Sequence, residues 1–498
     1  MDDPTGAKAA TASASSGDKG LRGGAIGFAS SVVIGVASTA PGYSLAASLG
    51  FVVAAGVGLA APAVLWVSFL PMLCIAFAYY YMNRADPDCG TTFTWVTSAM
   101  GPTMGWLGGW AIIVADIIVM ANLSQIAGLY SFLLLGIDDA STLAVTTVGV
   151  AWIVIMTAIC YIGIELSART QIFLLGAEIA TLALFAVVAL IKVYAGDFPD
   201  SIDPSLSWLN PFTIDSTTAL IDGILVAVFI YWGWDSAVTV NEETEDPTEG
   251  PGKSAVVSTL ILLGIYVIVS IAAQAVHGED FLRQNKDDVL SALGADVFGS
   301  PLDKILIIAV LTSAAASTQT TILPTARTSL SMGAVKALPR IFARVHPRYQ
   351  TPDFSTLLMG GLSIAWYVVL TLISEDILGD SIAALGLMIA FYYGLTGFAC
   401  AVFYRKEIFK SAKAFFMAGL MPVLGGVSLT YILVKSISDL AEPGKRDVLG
   451  LGPPLAIGIF FTIFGIVLML AQRIADPEFF KRKATVAPAG SLTGGTGS

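Results

Sequence analysis

Charged residues are scarce in this chain. Only 13% of its 498 residues are Asp, Glu, Lys or Arg, whereas 55% are apolar and the mean hydropathy is +0.78. Soluble domains carry roughly 25% charged residues, so the composition argues against a soluble enzyme or a soluble nucleic-acid-binding protein. The net charge of −11 also disfavours a polyanionic partner, and we expect no nucleic acid to bind.

Histidine and cysteine are scarce as well. His277 and His346 lie in polar segments, and the four cysteines lack metal-ligand spacing. We therefore expect neither a metal site nor a disulfide framework, and no cofactor apart from a coupling ion. Because the apolar segments contain no Ser–His pair and no phosphate-binding loop, we do not expect a membrane-embedded enzyme.

Long apolar segments, in contrast, are abundant. A membrane-spanning helix needs about 20 apolar residues, and the alternating pattern of a membrane barrel is absent. The sequence therefore predicts an all-α membrane protein with twelve transmembrane helices. The predicted spans are 26–50, 57–82, 101–125, 142–163, 169–194, 217–240, 254–276, 303–326, 354–374, 381–403, 413–438 and 453–473.

The basic residues predict an orientation. Most of the 26 Lys and Arg residues fall in segments on the same side as the N-terminus, and basic residues favour the cytoplasmic side. We therefore expect a multi-pass protein of the plasma membrane with both termini in the cytoplasm. Residues 1–24 are predicted to be a disordered cytoplasmic tail, and 476–498 a second cytoplasmic tail that is disordered from about Lys483.

Span 1 is interrupted near its middle by Ser38, Thr39, Ala40, Pro41 and Gly42. A proline inside a helix costs roughly 3 kcal/mol and frees a carbonyl group, and the glycine beside it weakens the helix further. Two interpretations remain open here. The segment is either a simple proline kink or an unwound segment whose free N–H groups face a carboxylate.

Span 6 is interrupted by an aromatic run that ends in an acid. The run comprises Phe229, Ile230, Tyr231, Trp232, Gly233, Trp234 and Asp235. An acid at this depth must face protein or water. The run is consistent with a packed aromatic cluster in which Asp235 caps the second half-helix, and also with a broken helix at a binding site.

The two interruptions occupy corresponding places, since span 1 opens the first five spans and span 6 opens the next five. This arrangement predicts an inverted-repeat transporter with a site at the membrane midplane. Half-helix N-termini suit an anionic group and freed carbonyls suit an ammonium group, so a zwitterionic amino acid would fit. We expect repeats at 25–212 and 213–412, followed by two additional helices within 413–475.

Several motifs resemble those of amino acid–polyamine–organocation (APC) superfamily permeases. Residues 86–96 resemble the loop after span 2 of that family, 229–251 resemble its span 6 signature, and 327–352 resemble its loop between spans 8 and 9. The motifs occur in the family's order and spacing. The resemblance implies a five-plus-five inverted-repeat (LeuT-type) fold with helices 1 and 6 broken, and amino-acid uptake or exchange by alternating access.

The resemblance also implies roles for the two interruptions. A substrate carboxylate would lie near 38–42, and its amino group near the carbonyls of 229–231. Trp232 and Trp234 would be candidates for an aromatic gate over a bound ammonium group, although lipid-facing or packing tryptophans are an equal alternative. The usual Gly-Ser-Gly type of break is replaced here by the residues around Pro41.

Three acids lie within apolar spans: Asp116, Glu178 and Asp235. Intramembrane acids are functional candidates by default. Glu178 falls where some proton-coupled family members carry a lysine, so it is our candidate for proton coupling; a structural hydrogen bond between helices is the alternative. Asp116 would either meet a substrate ammonium group, favouring a polyamine or cationic amino acid, or pair with a hydroxyl.

Two hydroxyls of span 8, Ser317 and Thr318, resemble part of the sodium site of related five-plus-five transporters, with close helix packing as the alternative. Glu242 and Glu243 are expected at the inner end of span 6, in gate salt bridges with Arg169 or Arg327.

Taken together, the resemblance and the candidate role of Glu178 lead us to expect a proton-coupled amino-acid symporter. A polyamine or cationic amino-acid transporter or exchanger, and a sodium-coupled symporter, are the alternatives; the sequence does not indicate the oligomeric state.

Overall fold

The computed structural model describes residues 19–286, 288–373, 377–441, 451–488 and 491–492. Within these ranges the regular structure is helical and contains no β-strand. One isolated parallel bridge joins Ile26 to Thr244. The predicted all-α class is therefore confirmed.

The long helices occur in the same order as the predicted spans. In chain order they are α1 (Phe28–Ser38), α2 (Pro41–Val52), α3 (Ala61–Ala85), α4 (Thr92–Met100), α5 (Pro102–Leu134), α6 (Thr142–Ile162), α7 (Ile164–Ala195), α8 (Thr217–Phe229), α9 (Ser236–Thr239), α10 (Gly250–Gln284), α11 (Val289–Phe298), α12 (Lys304–Ala334), α13 (Asp353–Ile373), α14 (Ile377–Phe403), α15 (Ala412–Ala414), α16 (Met421–Leu440) and α17 (Pro453–Ala475). Ten segments of the described chain are long and apolar enough to cross a membrane.

The first two predicted spans lie within one helical segment, Phe28–Ala85. A π-helical turn at Val53–Val57 and a 3-10 turn at Gly58–Ala60 join α2 to α3, where we expected a loop. Gly56 has φ 91° inside this connection, a conformation that glycine adopts without steric cost. The chain therefore passes from α2 to α3 through short helical turns rather than through an extended loop.

Two long helices form the centre of the bundle. In their most apolar stretches, 89% of α5 and 78% of α12 is buried, and the two helices pack against each other. In α13 and α17 only 33% of the corresponding stretch is buried. The peripheral helices thus present apolar faces outward, as expected of helices surrounded by lipid.

Parts of both predicted tails pack onto the bundle. Leu21 is 8% exposed and contacts a small apolar cluster, and Phe479 is 1% exposed and stacks on Phe93 with ring centroids 5.4 Å apart. The expectation of disorder is therefore wrong for 19–24, because Leu21 anchors this segment, and Phe479 anchors the predicted cytoplasmic tail after α17 in the same way. Residues 1–18 of the predicted tail lie outside the described residues.

Candidate functional site

The chain leaves helical geometry between α1 and α2. Helix α1 ends at Ser38, Thr39 follows, and Ala40 adopts the left-handed conformation with φ 48° and ψ 65°. This conformation costs a non-glycine residue about 1–3 kcal/mol and must be supported by its surroundings. Pro41 then begins α2 in a position where a missing N–H group is tolerated. Span 1 therefore consists of two helices rather than one kinked helix.

The amide groups at the start of α2 already have partners. The Gly42 N–H donates to Oε1 of Glu178 at 2.6 Å, and the Tyr43 N–H donates to Oγ of Ser313 at 3.1 Å. The amide of the following residue bonds to the Ala40 carbonyl at 2.7 Å. One of the two interpretations of the sequence predicted free N–H groups that face a carboxylate, and here a carboxyl group of the chain itself occupies this helix N-terminus.

Glu178 reaches the break from α7 and is completely buried. Its second oxygen, Oε2, is buried without a hydrogen-bond partner among the described residues. A Cβ atom at position 42 would lie 3.3 Å from Oε1, so Gly42 allows the carboxyl group to approach closely. The positive end of the α2 dipole makes this position favourable for a negative charge.

The second break faces the first. Helix α8 ends at Phe229, α9 begins at Ser236, and Gly233 between them has φ 116°. A Cβ atom on Gly233 would lie 2.7 Å from the carbonyl oxygen of Ser38. The hydroxyl oxygens of Ser38 and Ser236 are 2.8 Å apart. Glycine is therefore required at position 233 by its backbone angle and by the close approach of the two breaks.

Tyrosines hold the segment between α8 and α9. The Tyr266 hydroxyl donates to the Ile230 carbonyl at 2.5 Å, and the Tyr231 hydroxyl donates to the Leu65 carbonyl at 3.0 Å. One carbonyl expected near a substrate amino group thus accepts a phenol. Tyr266 was not predicted as a site residue, although a tyrosine in the middle of predicted span 7 was a signal for it.

Asp235 lies against two tyrosines of α14. Its Oδ1 accepts a hydrogen bond from Tyr393 at 2.9 Å, and its Oδ2 accepts one from Tyr392 at 3.2 Å. The Trp232 indole donates to the Tyr392 hydroxyl. The expectation that Asp235 caps α9 is wrong, because its side chain makes no capping hydrogen bond. The adjacent tyrosines in predicted span 10 were the missed signal.

The two candidate gate tryptophans are interior residues. Trp232 is 7% exposed and Trp234 is 0% exposed, which contradicts the lipid-facing alternative. The Trp234 ring stacks on Tyr393 at 5.2 Å and meets the edge of Tyr79 at 5.1 Å. Its Nε1 is buried without a partner among the described residues. Both tryptophans therefore belong to an aromatic cluster around Asp235.

Asp116 bonds to a hydroxyl group in this conformation. It is 2% exposed on α5, and its Oδ2 accepts a hydrogen bond from the Thr325 hydroxyl at 2.5 Å. The hydroxyl alternative considered from the sequence is thus realised. The contact joins α5 to α12 at the centre of the bundle.

The two hydroxyls of span 8 have different environments. Ser317 donates to the carbonyl of Ser38 at 2.8 Å, so it lies at the first break. Thr318 donates to the carbonyl of Ala314 in its own helix at 2.8 Å. The structure therefore brings Ser317 to the break, while the Thr318 hydroxyl satisfies a helical carbonyl.

A cavity of about 670 Å³ lies on the α2 and α8 side of the two breaks. Its walls come from α2, α8, α14 and α16, and they are mainly apolar, with Phe51, Phe229 and Ile382 among the lining residues. Phe229 is the last residue of α8. The cavity therefore reaches the edge of the second break.

Ion pairs involve the two glutamates that follow α9, Glu242 and Glu243. Arg327 binds Glu243 through Nε at 2.5 Å and Nη2 at 2.9 Å, and both side chains are almost completely buried. This confirms Arg327 as one of the two expected partners. Glu242 instead pairs with Lys19, which also binds Asp88 at 2.7 Å. Lys19 was predicted to lie in a disordered tail, so this contact was not predicted from the sequence.

Comparisons with known proteins give the family. The sequence model of a family described as amino acid permease matches residues 24–477. An uncharacterized transporter of Mycobacterium tuberculosis is 27% identical over 346 residues, which is 68% of this chain and 72% of the relative. A serine/threonine exchanger of Bacillus subtilis is 22% identical, covering 75% and 82% of the two chains. A low-affinity putrescine importer of Escherichia coli is 20% identical, covering 74% and 79%. The chain therefore belongs to the amino acid permease family of the APC superfamily and is a multi-pass membrane transporter.

Proposed function

We propose that this protein is a secondary active permease that moves amino acids across the plasma membrane by alternating access and couples this movement to protons through Glu178. The observation that carries the proposal is the hydrogen bond from the Gly42 N–H to Glu178 at the break. It connects an ionisable side chain directly to the helix N-terminus that would receive a substrate carboxylate. The serine/threonine exchanger among the relatives supports an amino-acid substrate.

The contact suggests how coupling would work. A substrate carboxylate docking at the start of α2 must compete with the carboxyl group of Glu178 for the same amide. Two carboxylates in one site repel each other, and a proton on one of them removes that repulsion. Protonation of Glu178 would therefore permit substrate binding. Release of the substrate and of the proton would restore the hydrogen bond from the Gly42 N–H to the Glu178 carboxylate.

The proposed topology follows from the helices. Counting Phe28–Ala85 as two spans, and α8 with α9 as one broken span, gives twelve. With the termini in the cytoplasm, the cavity beside α2 and α8 faces outward, and the buried pair of Arg327 and Glu243 lies on the inner side. We propose that this conformation is open toward the outside and closed toward the cytoplasm.

Uptake in proteoliposomes tests the proposal. Radiolabelled amino acids, including serine and threonine, are offered to vesicles with an imposed inward proton gradient, an inward sodium gradient, or neither. We expect accumulation above the equilibrium level only with the proton gradient. Accumulation driven by sodium at equal pH would reject proton coupling in favour of the site near Ser317. If no amino acid is taken up under any of these conditions, the assignment of amino acids as substrates is rejected.

A polyamine or cationic amino acid is the second candidate substrate. The observation that favours it is the presence of two buried acids, Asp116 and Asp235, in the membrane-spanning bundle; the putrescine importer among the relatives agrees with it. An ammonium group would bind between carboxylates and aromatic faces. Competition by putrescine or arginine against labelled serine distinguishes the two substrate classes.

A further inference from the structure

Residues 19–27 cross the inner ends of several helices, and we call this segment the N-terminal strap. Lys19 is its main polar anchor: its Nζ binds Asp88 at 2.7 Å and also Glu242, while its side chain is only 2% exposed. The same nitrogen lies 3.6 Å from the Cys89 sulfur. A buried ammonium group that is held by two carboxylates resists removal, because removal would leave the carboxylates uncompensated.

The strap backbone pairs with the end of the second broken span. The N–H groups of Ala25 and Ile26 both donate to the Glu243 carbonyl, at 2.8 and 3.0 Å, and the Glu245 N–H donates to the Ile26 carbonyl at 3.0 Å. Glu243 is the residue whose side chain pairs with Arg327. The strap therefore fixes the loop after α9 through its main chain.

An apolar contact covers the loop after α3. Leu21 packs with Cys89 and Leu330 in a small cluster, and Cys89 is completely buried there. The strap thus connects the start of α1, the α3–α4 loop, the end of α9 and helix α12. In an alternating-access cycle these elements must separate on the cytoplasmic side.

The electrostatics of this region agree with a stabilising role for Lys19. Burial and the charge of Asp88 raise the pKa of Asp86 to about 7. Burial also acts to raise the pKa of Asp88, but the charge and hydrogen bond of Lys19, together with hydrogen bonds from Ser331 and the Gly90 N–H, outweigh it and lower that pKa to about 2. Detaching the strap would therefore withdraw the Lys19 cation from several acids that lie close together.

We propose that the N-terminal strap is a latch on the cytoplasmic face: its docking through Lys19 and Leu21 holds the inner side closed, and it must detach before that side opens. The proposal rests on the alternating access inferred above, but not on the identity of the substrate or the coupling ion. The latch makes Cys89 a natural reporter, since the thiol is accessible only when the strap has moved.

The first test measures alkylation of Cys89 by N-ethylmaleimide in the purified full-length protein, with peptide mass spectrometry to resolve the four cysteines. We expect Cys89 to react roughly tenfold faster or more in Lys19→Ala than in the natural protein, because loss of ~1.4 kcal/mol raises the open fraction tenfold. Lys19→Arg should retain slow reaction. Lys253→Ala is the matched control, because it removes an exposed lysine bound to Glu249 at 3.3 Å.

A second variant, Leu21→Ala, opens the strap without altering the charges and should also speed the reaction. Melting temperature and gel filtration confirm that each variant is folded. A folded Lys19→Ala or Leu21→Ala protein whose Cys89 reacts at the natural rate would overturn the latch. This assay contains no substrate, so it can succeed even if the assignment of amino acids fails.

A third variant tests the gating role directly. In Leu21→Cys, oxidation by copper–phenanthroline joins the new thiol to Cys89 in a disulfide and clamps the strap in its docked position. We expect clamped protein to lose labelled-substrate exchange and to regain it when the disulfide is reduced. Full exchange by the clamped protein would refute the latch. An absence of exchange in the unmodified protein would instead count against the proposed substrate.

Discussion

The buried pair of Arg327 and Glu243 allows a quantitative prediction. Their side chains are 2% and 0% exposed and share hydrogen bonds of 2.5 and 2.9 Å. Arg327→Met removes the cation and leaves a carboxylate buried without its partner. Breaking a buried pair in this way costs about 3–5 kcal/mol. We therefore expect a large loss of stability from this single substitution.

A double-mutant cycle separates the pair from its surroundings. Replacing both partners, as in Arg327→Met with Glu243→Leu, removes the unpaired charge, so stability should recover most of the loss. Arg283→Met is the control, because Arg283 pairs with Asp280 at 2.6 Å while their side chains are 51% and 82% exposed. An exposed pair contributes about 0–1 kcal/mol.

Denaturant unfolding in mild detergent micelles, followed by tryptophan fluorescence, gives the free energies. We expect a strongly destabilised single variant, a double variant whose stability is near that of the natural protein, and a control with almost unchanged stability. If Arg327→Met unfolds at the same denaturant concentration as the natural protein, the ion pair of Arg327 and Glu243 does not stabilise the fold. If the double variant is as unstable as the sum of the single ones, the two residues are not coupled.

Three further predictions concern the breaks and the acids. Gly233→Ala should abolish substrate exchange and lower the melting temperature, because its Cβ would lie 2.7 Å from the Ser38 carbonyl, whereas Gly264→Ala, with open space, should change neither. Ser317→Ala should reduce exchange several-fold without introducing any sodium dependence; loss of a sodium-stimulated rate would favour the sodium alternative. Asp116→Asn should keep serine exchange, because Asn can still accept from the Thr325 hydroxyl, but should lose any competition by putrescine. Unchanged putrescine competition would remove Asp116 from an amine site.

The spans were predictable because each is an apolar segment of membrane length. Helices α4 and α11 were missed, since they have only nine and ten residues and lie between glycines or polar loops. Pro41 and Gly233 indicated both breaks, because proline and glycine disrupt helices locally wherever the chain folds. Local signals of this kind do not depend on distant neighbours.

The partners at the site could not be predicted in the same way. Glu178 and Gly42 are separated by 136 residues, and Lys19 and Glu242 by 223. Contacts of such range depend on how the helices pack, which no local pattern encodes. Asp235 shows the consequence: a cap on its own helix was a sensible local expectation, but phenols from α14 bind it instead.

The most direct test of proton coupling is the response of Glu178→Gln to a proton gradient. The amide retains an acceptor for the Gly42 N–H but cannot exchange a proton. Asp200→Asn, which neutralises an exposed acid in the loop after α7, is the control. We expect Glu178→Gln to exchange labelled amino acid across the membrane at equal pH yet fail to accumulate it when a proton gradient is imposed. The control should accumulate it normally. Accumulation by Glu178→Gln to the level of the natural protein would contradict the central claim.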